Sequence, residues 1–438
     1  MSGSPSAAQP RTPVPLPAHL PAGDLAWVSV TAAAAAIGAV AGTEIGASVG
    51  LAPPLRPDPA RIAAAYRSDR HLLIDGAQPD VWAPLSRFWR TRDGWVRTHG
   101  NYPHHAAALR RGLGLPPEGD EHRTAERLES LLAMIPSRAA TKAISDAGGL
   151  CVTVRRESAA VDAALRQHPL LEVDRFGDAP ARPLRTVSPS RPLADVRVLD
   201  LTRVIAGPVA SRTLALAGAD VLRIDPPTLP EFAWQHLDTG HGKRTALLDI
   251  GANRERFDRL LAAADVVVLG YRPDGLDRLG LSPGRLIRQQ PHLVVARLSA
   301  WADPSTGRGF DSLVQAASGI SWLESPDSET PAALPAQALD HSAGYLLAAG
   351  IADALRRRAV EGGGWSVRTS LRRVAAELLG MPHRGRAADT SPPPVDPETQ
   401  SFDVAGRKVT TVAPAVVWDG GPTLFAAPRE WGADQPEW

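Results

Sequence analysis

The chain has 438 residues, 44% of them hydrophobic and 22% charged, enough to bury the cores of two ordinary domains without staples. A net charge of +1 excludes the basic excess of a general nucleic-acid binder, and one cysteine excludes an intramolecular disulfide or a thiolate metal cage. That cysteine usage fits a reducing cytoplasm, and Cys151, with no basic or histidine neighbour to activate it, reads as a small buried hydrophobe.

Residues 1–22 are rich in proline and read as a flexible tail. Leu25 to Thr43 is apolar and Ala-rich, nearly long enough to span a bilayer. It follows Asp24, lacks the clustered Lys/Arg of a signal peptide, and is only weakly hydrophobic, so a packing helix is predicted and no membrane segment. A break falls near Leu51-Ala52-Pro53-Pro54. Phe88–Thr91 and Trp95–Thr98 are β-like runs with a tight-turn signal, Asp93-Gly94, between them, and helices follow around His105–Leu115 and Glu121–Ile135. Residues 175–194, punctuated by Pro180, Pro183, Pro189 and Pro192, look like a linker.

Strand and helix then alternate. Strands are predicted at Val196–Asp200, Asp220–Asp225, Thr245–Ile250, Asp265–Leu269 and His292–Leu298, with helices up to Ala217 and over Asn253–Ala264. The expected class is α/β: a Rossmann-like parallel-sheet domain over 195–358, preceded by a lead-in helix and small α+β domain over 23–174 and followed by an extension over 359–438. Ligands of such a sheet sit at the carboxyl ends of its strands. The usual nucleotide fingerprints are missing: no G-x-G-x-x-G follows the first strand, and Gly242-Lys243 is followed by Arg244, so it is no P-loop. The missing glycine fingerprint disfavours a nicotinamide-dependent oxidoreductase. Ala206-Gly207-Pro208 opens the first helix instead, either as an anion seat of backbone N–H groups or as a plain strand–helix turn.

Six blocks in order carry a resemblance. They are Val198–Pro208 with Leu216–Asp225, Gly242–Arg244, Ala264–Val268 leading to Tyr271-Arg272-Pro273 and Leu276–Leu281, Gly309-Phe310-Asp311, Gln315-Ala316 with Ser318-Gly319, and Leu334–Gly344. Together they resemble the class III CoA-transferase family (CaiB/BaiF type), which includes CoA-transferases and an acyl-CoA racemase. The hairpin at Thr91–Val96 and Asn101-Tyr102-Pro103 resemble the family's small domain, here preceding the large one. The resemblance implies a CoA thioester as substrate with no tightly bound cofactor, a carboxylic acid as second substrate, and a homodimer. It makes Asp340 the nucleophile, where spacing alone reads a helix N-cap. It puts Arg278, Lys243 and Arg244 near the CoA cleft, against an alternative as surface ion pairs, together with Ala206, Gly207 and Pro208. Asp311 matches an acidic position near the nucleophile, or is an N-cap; His341 reads as packing or substrate lining. Phe310 stands where the racemase has a histidine, which disfavours racemisation, since no histidine nearby in sequence replaces it. A racemase or epimerase, or a non-catalytic CoA-binding relative, are the alternatives. Ile205 and Pro226-Pro227 depart from members that use oxalate. Glycines 362–364 are candidate oxyanion donors by composition only, and Ile320–Leu323 and Tyr345–Leu347 hint at an apolar acyl chain or at core. His99, His104 and His105 lack a carboxylate partner at helical spacing, so no metal is expected.

Overall fold

The computed structural model describes residues 12–42, 58–116, 118–184, 188–303, 307–382 and 396–438. Most of the expected tail (1–11) and the expected break at 51–54 lie outside the described residues. In chain order, the elements that position the site begin with helix α1 (Ala22–Ala41). Strands β1 (Phe88–Thr91), β2 (Gly94–Thr98) and β3 (Cys151–Thr153) follow, with α2 (Pro103–Gly112) between the last two. Then come β4 (Glu172–Phe176), β5 (Arg197–Leu201), α3 (Ala206–Leu216), β6 (Asp220–Asp225), α4 (Ala233–Thr239), β7 (Arg244–Leu247), β8 (Val266–Leu269) and β9 (Val294–Ser299). Helices α5 (Asp311–Ser318) and α6 (Ala338–Glu361) and strand β10 (Gly364–Ser370) complete the set.

The main sheet runs β4-β10-β9-β8-β5-β6-β7, all parallel except the edge pair β4–β10. Its parallel strands are near-continuous apolar runs because both faces are covered, and successive side chains serve opposite cores. Val198, Val266 and Val268 join the core under α3 and α6. Leu199, Val267 and Leu269 join a second core against Phe257 and Leu286. The chain leaves β5 toward β6 on one side and returns to β8 on the other, so the loops after β5 and β8 part at a topological switch point. The hairpin β1–β2, turned at Asp93-Gly94 as expected, pairs with β3 in a separate antiparallel sheet that closes on its own small core. Cys151 sits in that core, its thiol pushed up to about 12 by burial.

Three expectations about boundaries are corrected. Val14, Leu16 and Leu20 are buried, and the His19 and Leu20 N–H groups donate to Glu324, so residues 12–22 are packed chain and not a loose tail. The linker expected over 175–194 begins inside β4, and the extension expected after 358 contains β10, a central partner of β9. Sequence periodicity could not pair these two short strands with each other, because nearly 190 residues separate them. Helix α1 is long and apolar enough to cross a membrane by length and composition. It packs along α6 in the same core as α3, which leaves α6 buried along nearly its whole length.

Candidate functional site

The loop from β5 into α3 is held in an unusual shape. Val204 has φ of 73°, a region costly for a β-branched residue, and its N–H donates to Glu231 at 3.0 Å. Glu231 is buried and also accepts from Arg223 (3.2 Å), Arg203 (3.4 Å) and the Tyr102 hydroxyl (2.6 Å). This ion-pair network fixes the turn that delivers Ala206 and Gly207. A Cβ at Gly207 would lie 2.4 Å from the Thr202 side chain, so only glycine lets the helix start this close to the strand end.

Helix α6 crosses α3 equally closely, because a Cβ on Gly344 would meet the Ala206 carbonyl oxygen at 2.5 Å. One turn before Gly344 stands Asp340, in the first turn of α6 and beside the start of α3. No side chain of its own segment caps α6. The cap comes from α5: Asp311, fully buried, accepts the Asp340 N–H at 2.9 Å and is braced by the Gln315 amide, whose oxygen accepts Leu334 N–H at 2.9 Å. Three of the sequence blocks are thus tied together by hydrogen bonds. Asp340 is no cap, and Asp311 is one, but for a different helix from its own. Burial, and then the neighbouring Asp311 charge, raise the Asp340 carboxyl well above the ordinary carboxylate range, and burial lifts Asp311 to about 6.

Asp340 lines a cavity of about 290 Å³ at the switch point, walled by the loops after β5, β8 and β9. Arg203, Arg272, Arg297 and Arg308 line it too, and Asp340 is the only acidic side chain among the described lining residues. Tyr102, His104 and His105 reach in from the small-sheet segment, and the Arg308 guanidinium ties across to the Gly148 carbonyl. A smaller chamber of about 40 Å³ shares Val204, Ile205, Phe310 and Asp340 with it.

Compared with known proteins, residues 193–406 match CoA-transferase family III. The match covers just under half of the chain, and strand β5, helices α3, α5 and α6 and strand β10 all fall within it. A "probable fatty acyl-CoA transferase" of Mycobacterium tuberculosis is 32% identical over 48% of this chain and 58% of its own length. An acetyl-coenzyme A transferase of Hypoxylon pulicicidum is 30% identical over 66% and 53% respectively. A solved CAIB/BAIF family protein from Brucella suis is 24% identical, with a TM-score of 0.42 over 50% of this chain and 65% of that one. The chain thus spans little more than half the length of these two curated relatives.

Within the matched segment, several residues singled out by sequence are elsewhere. Lys243 is buried with its ammonium on Asp200 (3.1 Å) and the Pro208 carbonyl (2.9 Å), and burial lowers it to about 8. It anchors the strand end and the start of α3 from behind. Arg244 pairs with Asp220 at 2.8 Å and lies over Trp438, and Arg278 is exposed; neither lines the cavity. Glycines 362–364 turn the chain at the far end of α6, about 30 Å of helix from Asp340. Ile320 and Tyr345–Leu347 are core and line neither cavity. His341 stacks on Tyr66 and lines the smaller chamber. Phe310 is close to histidine after all: His99 stacks on it at 3.8 Å and His105 meets it edge-on. Sequence distance hid this, because those histidines arrive from the small-sheet segment. The four cavity arginines were also missed, although Arg203, Arg272 and Arg308 each stand in or beside a family block.

Proposed function

We propose that this chain moves CoA between an acyl-CoA and a carboxylic acid, with Asp340 as the nucleophile. The observation that carries the reading is the seat of Asp340, the one carboxyl among the described residues lining a cavity that four arginines also line, at the switch point of a parallel sheet. Guanidinium groups suit the phosphates of CoA, which brings the thioester carbonyl to the carboxylate. The carboxylate oxygen adds to that carbonyl, the C–S bond breaks, and CoA leaves as thiolate, forming a mixed anhydride on Asp340. The thiolate then attacks the aspartyl carbonyl, releases the first acid and leaves an enzyme–CoA thioester. The acceptor carboxylate repeats the two steps in reverse order and departs as the new acyl-CoA. Ala206 and Gly207 line the cavity as the first residues of α3, and N–H groups there lack intrahelical acceptors, so they are the oxyanion donors in this reading.

Hydroxylamine added during turnover should convert Asp340 into its hydroxamate, located by peptide mass spectrometry. A hydroxamate on another residue, or none while CoA transfer proceeds, would remove Asp340 from this role. Proton exchange at the α-carbon is a second reading, favoured by His105 on the same cavity; burial drops its imidazole to about 3, keeping it neutral. The same incubation in deuterium oxide separates them, since transfer leaves the α-hydrogens in place.

Asp340 must be ionised to attack, and both burial and Asp311 oppose ionisation. The rate should therefore rise with pH along an acid limb above the ordinary carboxylate value of about 3.9. Asp311→Asn keeps an oxygen acceptor for the Asp340 N–H but removes the negative neighbour, so the limb should move to lower pH. A pH–rate profile that does not move would uncouple the two carboxyls.

A further inference from the structure

The smaller chamber behind Asp340 differs in chemistry from the arginine-lined cavity. No lysine or arginine lines it among the described residues, whereas Asp69 and Asp238 do. Gln235 and Asp238 stand three apart on α4 and so present one face. Asp238 is 5% exposed and Gln235 7%. The Asp238 Oδ2 accepts the Ser68 hydroxyl at 2.7 Å, while its Oδ1 and the Gln235 Oε1 have no partner. Arg212 reaches Asp238 only through the backbone carbonyl, at 2.7 Å. The Nδ1 atoms of His99 and His341 are also unpartnered on the same wall, and burial holds both rings neutral. Burial raises the Asp238 carboxyl, and burial followed by the Asp238 charge raises Asp69. A buried acceptor left unsatisfied is costly, and both of these belong to residues that wall one chamber, which defines the complement they need.

We infer that this chamber receives the far end of a short acyl group carrying a hydrogen-bond donor, a hydroxyl or a primary ammonium, recognised by Asp238 and Gln235. This rests on the transfer reading above and names its substrate class. The volume of about 40 Å³ has room for roughly two to four heavy atoms, since a water needs about 10–15 Å³ by this measure. A long alkyl chain does not fit, and a second carboxylate would face Asp69 and Asp238 with no lining cation. Gln235 and Asp238 lie within the matched segment, while Asp69 and His99 on the same chamber come from before it, so both parts of the chain shape the selectivity.

The test is single-turnover loading of the full chain by propionyl-, 3-hydroxypropionyl-, β-alanyl-, malonyl- and octanoyl-CoA, read as CoA thiol released. The hydroxylated or the aminated thioester should load at least about tenfold faster than propionyl-CoA, and the faster of the two identifies the donor. Malonyl- and octanoyl-CoA should be slowest. Asp238→Asn keeps an acceptor for Ser68, and it should shrink the ratio of donor-bearing to propionyl loading at least about threefold. Gln235→Leu should do the same, and serves if the first variant does not fold. Loading without the preference, a preference for octanoyl or malonyl, or a ratio unmoved in both folded variants overturns this inference alone. Loading by none of the five overturns the transfer reading and this inference with it.

Discussion

Asp340→Ala is expected to lower CoA transfer by at least about a thousandfold while leaving the thermal midpoint close to that of the parent. A nucleophile that forms the covalent intermediate has no substitute in the cavity, where the described lining offers no second carboxylate. Its removal also takes away a buried charge that the fold holds at a disadvantage, so the stability loss of an ordinary core truncation is not expected. Retention of more than a tenth of the parent rate would show that the covalent step runs elsewhere. Asp340→Asn is a weaker experiment, because slow deamidation restores the acid.

The second large effect is expected from the arginines. Arg272 makes no ion pair among the described residues and lines the cavity, and Arg308 donates to the Gly148 carbonyl with no ion pair among the described residues. Each charge-assisted phosphate contact is worth about 1.5–3 kcal/mol. Arg272→Ala with Arg308→Ala should therefore raise KM for acyl-CoA by roughly a hundredfold or more, with kcat far less affected, the pattern of lost uniform binding. Arg278→Ala, outside the cavity, should leave KM within about twofold. A larger effect at Arg278 than at the cavity pair would reverse the assignment of the phosphate seat.

Strands β5 to β9 were legible because each is a short apolar run bounded by turn residues, whereas β4 and β10 were not. The placement of Asp340 was legible through its family block, and its cap was not. Spacing could say that Asp311 and Asp340 each stand near a helix start, but only the packing of α5 against α6 shows that one caps the other. Lys243 illustrates the opposite failure. A Gly-Lys-Arg run in a nucleotide-binding topology suggests phosphate, yet Lys243 is committed to Asp200 inside the fold. A sequence lists cations without saying which are already neutralised. The histidines and arginines of the cavity were missed for another reason: they reach it from separate elements of the fold, and no local period records that.

The layer formed by α1 against α6 has a consequence for how the chain is made. Helix α1 ends at residue 41, and its partner begins at residue 338. At about 5–20 residues per second of synthesis, the apolar face of α1 waits roughly 15–60 s before α6 has left the ribosome. Strand β4 waits similarly for β10, so neither the outer helix nor the sheet edge can close on the nascent chain. Contacts this distant in sequence make the fold slow to complete. The nascent protein thus presents an exposed apolar helix that holdases can bind, and raising their supply is expected to raise its yield.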